Sequence, residues 1–102
     1  MDSPAPNIDD PRQILRDISR NPVDLGLRLR LGAALSVRGD YGGAIPELEK
    51  AMFSPYLRWQ SMRLLIEAYE ATGQHGLAER MRERLSKETG GSGDSGPAPV
   101  PV

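Results

Sequence analysis

Apolar residues recur every three or four positions through most of this chain. Ile14 and Ile18 belong to the first such stripe, and Leu77, Met81 and Leu85 form the last one. This spacing places the apolar side chains on one face of an α-helix. The pattern therefore predicts an all-α fold of about five helices.

Helix start and stop signals divide the pattern into segments. Asp10 followed by Pro11 predicts the start of the first helix, because aspartate caps free backbone N–H groups and proline fits the first helical position. Asn21-Pro22 repeats this signal and predicts the start of the second helix. Gly39 is a favourable residue after a helix C-terminus, so we expect the second helix to end there.

The remaining signals predict three further helices. Asp40 can cap the third helix, which we expect to stop near Ser54-Pro55 because proline interrupts a helix. The fourth helix is expected over Tyr56–Thr72, and the fifth from about His75 to Glu88. Short turns are expected to join all five helices.

The stretches at either side of the helices differ from them in composition. Residues 1–9 are polar and proline-bearing, and residues 89–102 are rich in glycine and serine before they alternate with proline. Neither stretch can bury enough apolar surface to offset its ordering entropy, so both are predicted to be disordered around a helical domain over residues 10–88. The proline-rich end favours polyproline II geometry, which leaves open a role as a ligand for a groove in another protein.

The chain also contains an internal repeat. Three residue pairs match at a separation of 34 positions: Leu31 with Leu65, Gly39 with Gly73, and Ala44 with Ala78. This separation is the period of the tetratricopeptide repeat (TPR). The order LGAAL, GDYGGAI and LEKA within residues 31–51 resembles that family, whose pattern has a leucine-glycine pair, Gly-Asp-Tyr at the turn and later alanines. The resemblance implies a right-handed superhelix of antiparallel helix-turn-helix repeats, with about two repeats after a preceding helix.

The second unit resembles the TPR pattern less closely than the first. Tyr69, Gly73 and Ala78 agree with the pattern, but Ile66 stands where a small residue is usual and Arg82 where a large apolar residue is usual. The first unit therefore carries nearly all of the resemblance.

The resemblance implies a binding surface as well as a fold. TPR proteins bind peptides or helices along a concave groove that is lined by the first helix of each pair. Carried over to this chain, the groove residues are Leu29, Ala33, Ser36, Val37, Arg63, Glu67 and Glu70. The two glutamates favour a ligand with a basic side chain and some apolar character. Only Arg63 fits the basic clamp with which some TPR proteins hold a terminal carboxylate, so we do not expect that ligand.

The end of the array is a second candidate surface. About three repeats are usually needed for stability, and terminal repeats normally carry a polar face, whereas this chain has two and a half repeats. Apolar residues of the last pair are therefore expected to be partly uncovered: Trp59, Leu77, Met81 and Leu85. A continuous uncovered patch usually marks an interface, which predicts docking on a partner or a homo-oligomer.

Composition excludes several other classes of function. Thirteen basic and 14 acidic residues give a net charge of −1, so the chain has no positive field to attract nucleic acid. No cysteine and a single histidine leave no metal, cofactor or thiol chemistry, and no pair of residues suggests an enzyme. No segment approaches the roughly 20 consecutive apolar residues that span a bilayer. We expect a soluble protein in the cytoplasm.

These observations predict a module for protein–protein interaction. The leading hypothesis is a TPR scaffold or adaptor that binds a peptide or helix of a partner protein. The alternative is a small chaperone-like or assembly subunit that shields an apolar segment of a client, in oligomeric form. The sequence does not identify the partner.

Overall fold

The computed structural model describes residues 10–90, and these residues form five α-helices in an antiparallel stack. The helices are α1 (Pro11–Arg20), α2 (Leu25–Val37), α3 (Tyr41–Ala51), α4 (Arg58–Ala71) and α5 (His75–Glu88). No strand occurs in the described part of the chain. The all-α fold with five helices is confirmed. The predicted disorder of residues 1–9 and of the proline-rich tail falls outside the described residues.

Aspartate caps begin α1 and α3, as the sequence predicts. The side chain of Asp10 accepts a hydrogen bond from the backbone N–H of Arg12 at 3.0 Å, and Pro11 occupies the first helical position. Asp40 accepts one from the backbone N–H of Gly43 at 3.0 Å. Each cap satisfies an N–H group that has no partner within its helix.

The predicted start of α2 is wrong by three residues. Asn21 does not begin a helix but ends one, because its backbone N–H donates to carbonyls in the last turn of α1. Asp24 is the actual N-cap, and its side chain accepts hydrogen bonds from the backbone N–H groups of Gly26 and Leu27. Two start signals compete here, and Asp24 is the one placed directly before the apolar stripe of α2.

The connection between α3 and α4 is longer than the sequence predicts. Helix α3 ends at Ala51 rather than near Ser54, and α4 begins at Arg58 rather than at Tyr56. Residues 52–57 form consecutive turns around Pro55, and α4 has no side-chain cap. The intervening residues form a short linker between the two repeats, in which Phe53, Pro55 and Tyr56 are exposed while Met52 and Leu57 pack against the larger core cluster.

The internal repeat is visible in the backbone at both helix-pair turns. Gly39 has a φ of 82° and Gly73 a φ of 80°, a conformation that glycine adopts at least cost. Asp40 donates from its N–H to the carbonyl of Leu35 at 2.8 Å, and the equivalent bond 34 residues later, at 2.7 Å, joins residues 74 and 69. Both turns are therefore Schellman motifs with the same hydrogen bonds.

The helices pack in chain order. Helices α2 and α3 form one hairpin, α4 and α5 form another, α3 joins the two hairpins, and α2 touches α4 directly. Helix α1 packs on α2. The larger core cluster lies within and between the two hairpins: Leu29, Ala44, Leu48, Ala51, Met62, Leu65, Tyr69, Ala78 and Met81. The smaller cluster lies between α1 and α2: Ile14, Ile18, Leu27, Leu31 and Ala34.

Candidate protein-binding groove

Helices α2 and α4 are the first helices of the two hairpins, and they lie next to each other. Four of the seven predicted groove residues are accessible on them. Val37 on α2 is 85% exposed, and Ala33 lies one turn before it with part of its surface accessible. On α4, Arg63 and Glu67 are exposed one turn apart. The accessible part of the predicted groove is thus apolar on α2 and charged on α4.

Two predicted groove residues are buried. Leu29 is 7% exposed and belongs to the larger core cluster. Ser36 is 9% exposed, and its hydroxyl donates to the carbonyl of Gly32 at 2.9 Å. These side chains therefore stabilise α2 and its packing, and neither offers more than a small area to a ligand.

Glu70 already has partners within the chain. Its carboxylate accepts a hydrogen bond from the guanidinium of Arg82 on α5, and Nδ1 of His75 lies 2.6 Å from its Oε1 atom. The hydrogen bond from Arg82, and then that from His75, lowers the pKa of Glu70 below its usual range. Glu70 thus ties α4 to α5, and Glu67 is the acidic residue of the predicted groove that is left for a basic ligand group.

An open depression lies at the C-terminal half of α2. Its volume is about 130 Å³, and its lining residues are Ala33, Ala34, Val37 and Arg38. Pockets for drug-sized ligands usually measure about 300–1,000 Å³. This depression is therefore of a size for a single side chain of a partner rather than for a cofactor.

The four apolar residues that the sequence predicts to be uncovered at the end of the array are only partly exposed. Trp59 is 45% and Leu77 39% exposed, Leu85 is half-buried, and Met81 is only 9% exposed within the core. The four residues therefore do not form one continuous apolar patch.

The outer face of α5 carries polar residues where α3 carries apolar ones. Ile45 of α3 and Met52, the residue directly after α3, pack against the larger core cluster. The residues 34 positions later are Glu79 and Ser86, and Glu79 accepts a hydrogen bond from Arg82 at 3.0 Å. A polar outer face of this kind is typical of a terminal repeat helix.

A polar cluster that the sequence does not reveal joins the start of α4 to the end of α5. Arg58 donates from Nε and Nη2 to the two carboxylate oxygens of Glu88, at 2.7 and 2.6 Å. Trp59 donates from Nε1 to the same carboxylate at 3.3 Å. The bond to Glu88 raises the pKa of Arg58, and the bond from Arg58 lowers the pKa of Glu88. Thirty residues separate Arg58 from Glu88, so no local pattern indicates this contact.

The described residues contain neither a metal site nor a membrane-spanning helix. Residues 10–90 contain no set of three or more histidine and carboxylate side chains that could bind a metal ion. Within the same range, none of the helices has the length and apolar character needed to cross a membrane.

The paired antiparallel helices, with a repeated Schellman turn 34 residues apart, define a TPR-like helical-repeat fold. Two solved structures are similar to this chain: MamA AMB-1 and a mutant of MamA. Each aligns with a TM-score of 0.71 and 23% identity, covering 80% of this chain and 45% of the MamA chain. This chain thus spans less than half of MamA, and at this identity the likeness concerns the fold alone. No protein-family model and no curated protein matches the sequence.

Proposed function

We propose that this chain is a scaffold module of the TPR type that binds a segment of a partner protein along the α2–α4 groove. The observation that carries the proposal is Val37, which is 85% exposed on a helix whose other large apolar residues are mostly covered. An exposed apolar residue beside a depression of side-chain size is a suitable anchor point for a partner.

The groove indicates the chemistry of the ligand. Ala33 and Val37 supply a small apolar contact on α2, and Arg63 and Glu67 supply one charge of each sign on α4. A helix or extended peptide that inserts one apolar side chain and pairs a basic side chain with Glu67 fits this arrangement. Glu70 contributes indirectly, because its bonds to Arg82 and His75 hold the C-terminal end of α4 against α5.

A role without catalysis is part of this proposal. His75 is the only histidine of the chain, and its side chain is 71% exposed at the first residue of α5. General acid–base catalysis needs such a group positioned against a bound substrate, usually in a pocket, and the 130 Å³ depression has no titratable lining residue except Arg38. The cytoplasmic location and membership of the TPR family are likewise parts of the proposal.

The chaperone-like alternative requires a larger apolar face. Met81 is buried and Leu85 half-buried, and charged residues such as Glu79 and Arg82 surround them on α5. This surface favours the scaffold over a subunit that shields an apolar client. Light scattering on the purified chain tests the homo-oligomer, and a stable dimer would restore the alternative.

A displayed peptide library selected against the native chain tests the groove. We expect most selected peptides to bind the Val37→Glu and Glu67→Lys variants at least about tenfold more weakly, a loss of about 1.4 kcal/mol. Arg16→Glu on the exposed face of α1 is the matched control and should leave affinity unchanged. Circular dichroism must show equal helix content in all variants. Peptides that bind both groove variants as well as the native chain would exclude this groove as the site.

A further inference from the structure

Three aromatic side chains are exposed where α3 connects to α4. Phe53 is 83% exposed, Tyr56 95% and Trp59 45%. We refer to Phe53, Tyr56 and Trp59 as the aromatic end surface. These residues lie at the opposite end of the helices from Val37, so the α2–α4 groove does not explain their exposure.

The chain leaves its last helix next to this surface. Glu88 is the final residue of α5, and it accepts hydrogen bonds from Arg58 and Trp59 at the start of α4. Tyr56 precedes Arg58 by two residues, so their Cα atoms lie within about 8 Å of each other. The residues that follow α5 therefore start beside the aromatic end surface.

The sequence after α5 has the chemistry that binds aromatic surfaces. Residues 91–96 are rich in glycine and serine, and residues 97–102 read PAPVPV. Alternating prolines favour polyproline II geometry, which loses little entropy on binding, and such segments dock on exposed aromatic side chains. The seven Cα–Cα steps from Gly90 to Pro97 can span up to about 23 Å, so the length of this segment allows residues 97–102 to reach back from the end of α5 towards Tyr56.

We propose that residues 97–102 bind the aromatic end surface of their own chain. Proline rings would cover Tyr56 and Trp59, which are otherwise exposed apolar surface next to the point where the tail begins. The proposal is independent of the α2–α4 groove, because it involves the other end of the helices and another set of residues.

Trp59 provides a direct measurement, since it is the only tryptophan of the chain. The full chain is compared with a variant in which Pro97, Pro99 and Pro101 are all replaced by serine. We expect the replacement to shift the Trp59 emission to longer wavelength and to increase its quenching by acrylamide about twofold, because the indole loses its cover. Replacement of Ser92 and Ser95 by glycine is the matched control and should change neither quantity.

Further variants and conditions identify the surface and the occupant. Tyr56→Ala should increase the quenching of Trp59 as the proline variant does, whereas Val37→Ala should not. A synthetic PAPVPV peptide added to the proline variant should restore protection. Equal quenching of Trp59 in the native chain and the proline variant would overturn the proposal. Protection that disappears on about hundredfold dilution would assign the tail to a second copy and would also overturn it.

Discussion

The side chain of Leu48 in α3 lies directly against the backbone of Gly32 in α2. A Cβ atom on Gly32 would be 2.5 Å from Cδ2 of Leu48, and Leu48 is fully buried. The close approach of the first helix pair therefore requires glycine at this position. The same positions in the second pair, 34 residues later, hold Ile66 and Arg82, and Arg82 lies at the surface and binds Glu70. The two hairpins thus have turns of the same backbone conformation, but the side chains between their two helices pack differently.

Replacement of Gly32 by alanine is expected to destabilise the fold. The added methyl group would overlap Leu48, which cannot move towards solvent, and overpacking of this kind costs about 1 to 3 kcal/mol. Urea unfolding followed by circular dichroism measures the free energy of unfolding directly.

Gly42→Ala is the matched control for this substitution. Gly42 also lies within a helix, but a Cβ there would meet no atom within 4 Å. Alanine should stabilise the chain by about 0.5 kcal/mol, because it lowers the entropy of the unfolded state. Equal effects of Gly32→Ala and Gly42→Ala would show that the contact with Leu48 relaxes freely.

The ends of the helices could be predicted from the sequence wherever a single capping or terminating residue marks the end. Asp10 with Pro11, and the glycines at positions 39 and 73, set helix ends through hydrogen bonds within a few residues, and the structure agrees at each. The prediction failed at Asn21, where a second capping residue, Asp24, stands three positions later. Asp24 stands directly before the apolar stripe of α2, so the position of a capping residue relative to that stripe, and not the capping residue by itself, indicates where the helix begins.

The candidate groove could be predicted only as a helix face. Helical spacing places Leu29 and Val37 on the same side of α2, yet Leu29 is 7% and Val37 85% exposed. The difference arises because Leu29 belongs to the larger core cluster, which contains residues of both hairpins and which no local pattern indicates. Glu70 likewise has its strongest partner twelve residues away, on the next helix, so its engagement with Arg82 was not visible in the sequence.

Ser61→Ala is expected to stabilise the chain. Ser61 is fully buried in α4, and its hydroxyl oxygen has no hydrogen-bond partner within residues 10–90. Removing a buried, unpaired hydroxyl eliminates its desolvation penalty, a gain of about 1 kcal/mol. Urea unfolding checks this value. Ser36→Ala is the control, because the Ser36 hydroxyl donates to the carbonyl of Gly32 and its loss should not stabilise the fold. A destabilised Ser61→Ala variant would indicate that the hydroxyl has a partner in solution.

The ion pair between Arg58 and Glu88 should make stability sensitive to acid. The hydrogen bond from Arg58 lowers the pKa of Glu88 in the folded state, so folding favours the ionised carboxylate. The resulting stabilisation is present above the pKa of the unfolded chain and is lost as the pH falls through the lower pKa of the folded chain. The melting temperature of Glu88→Gln should therefore decrease less than that of the native chain between about pH 5 and pH 3.

Glu67→Gln is the control for the acid measurement, since Glu67 is exposed and joins no ion pair within the described range. This variant removes one exposed carboxylate and leaves the contact between Arg58 and Glu88 in place, so the acid sensitivity that arises from that contact should remain. If Glu88→Gln also keeps that sensitivity, the contact with Arg58 contributes nothing in solution, as is the case for many surface ion pairs.

Helix α1 is expected to open more readily than the two hairpins. It packs on α2 through a separate small core cluster, and Leu35 is the residue that packs against both that cluster and the larger one. Hydrogen exchange should therefore show weaker protection for amides of α1 than for those of α4. Leu35→Ala should widen this difference by removing the shared contact, with a loss of about 2 kcal/mol, whereas Leu15→Ala, at a side chain that is 51% exposed, should change it little. Equal protection of α1 and α4 in the native chain would mean that α1 unfolds only together with the hairpins, and the array would then behave as one cooperative unit despite its two cores.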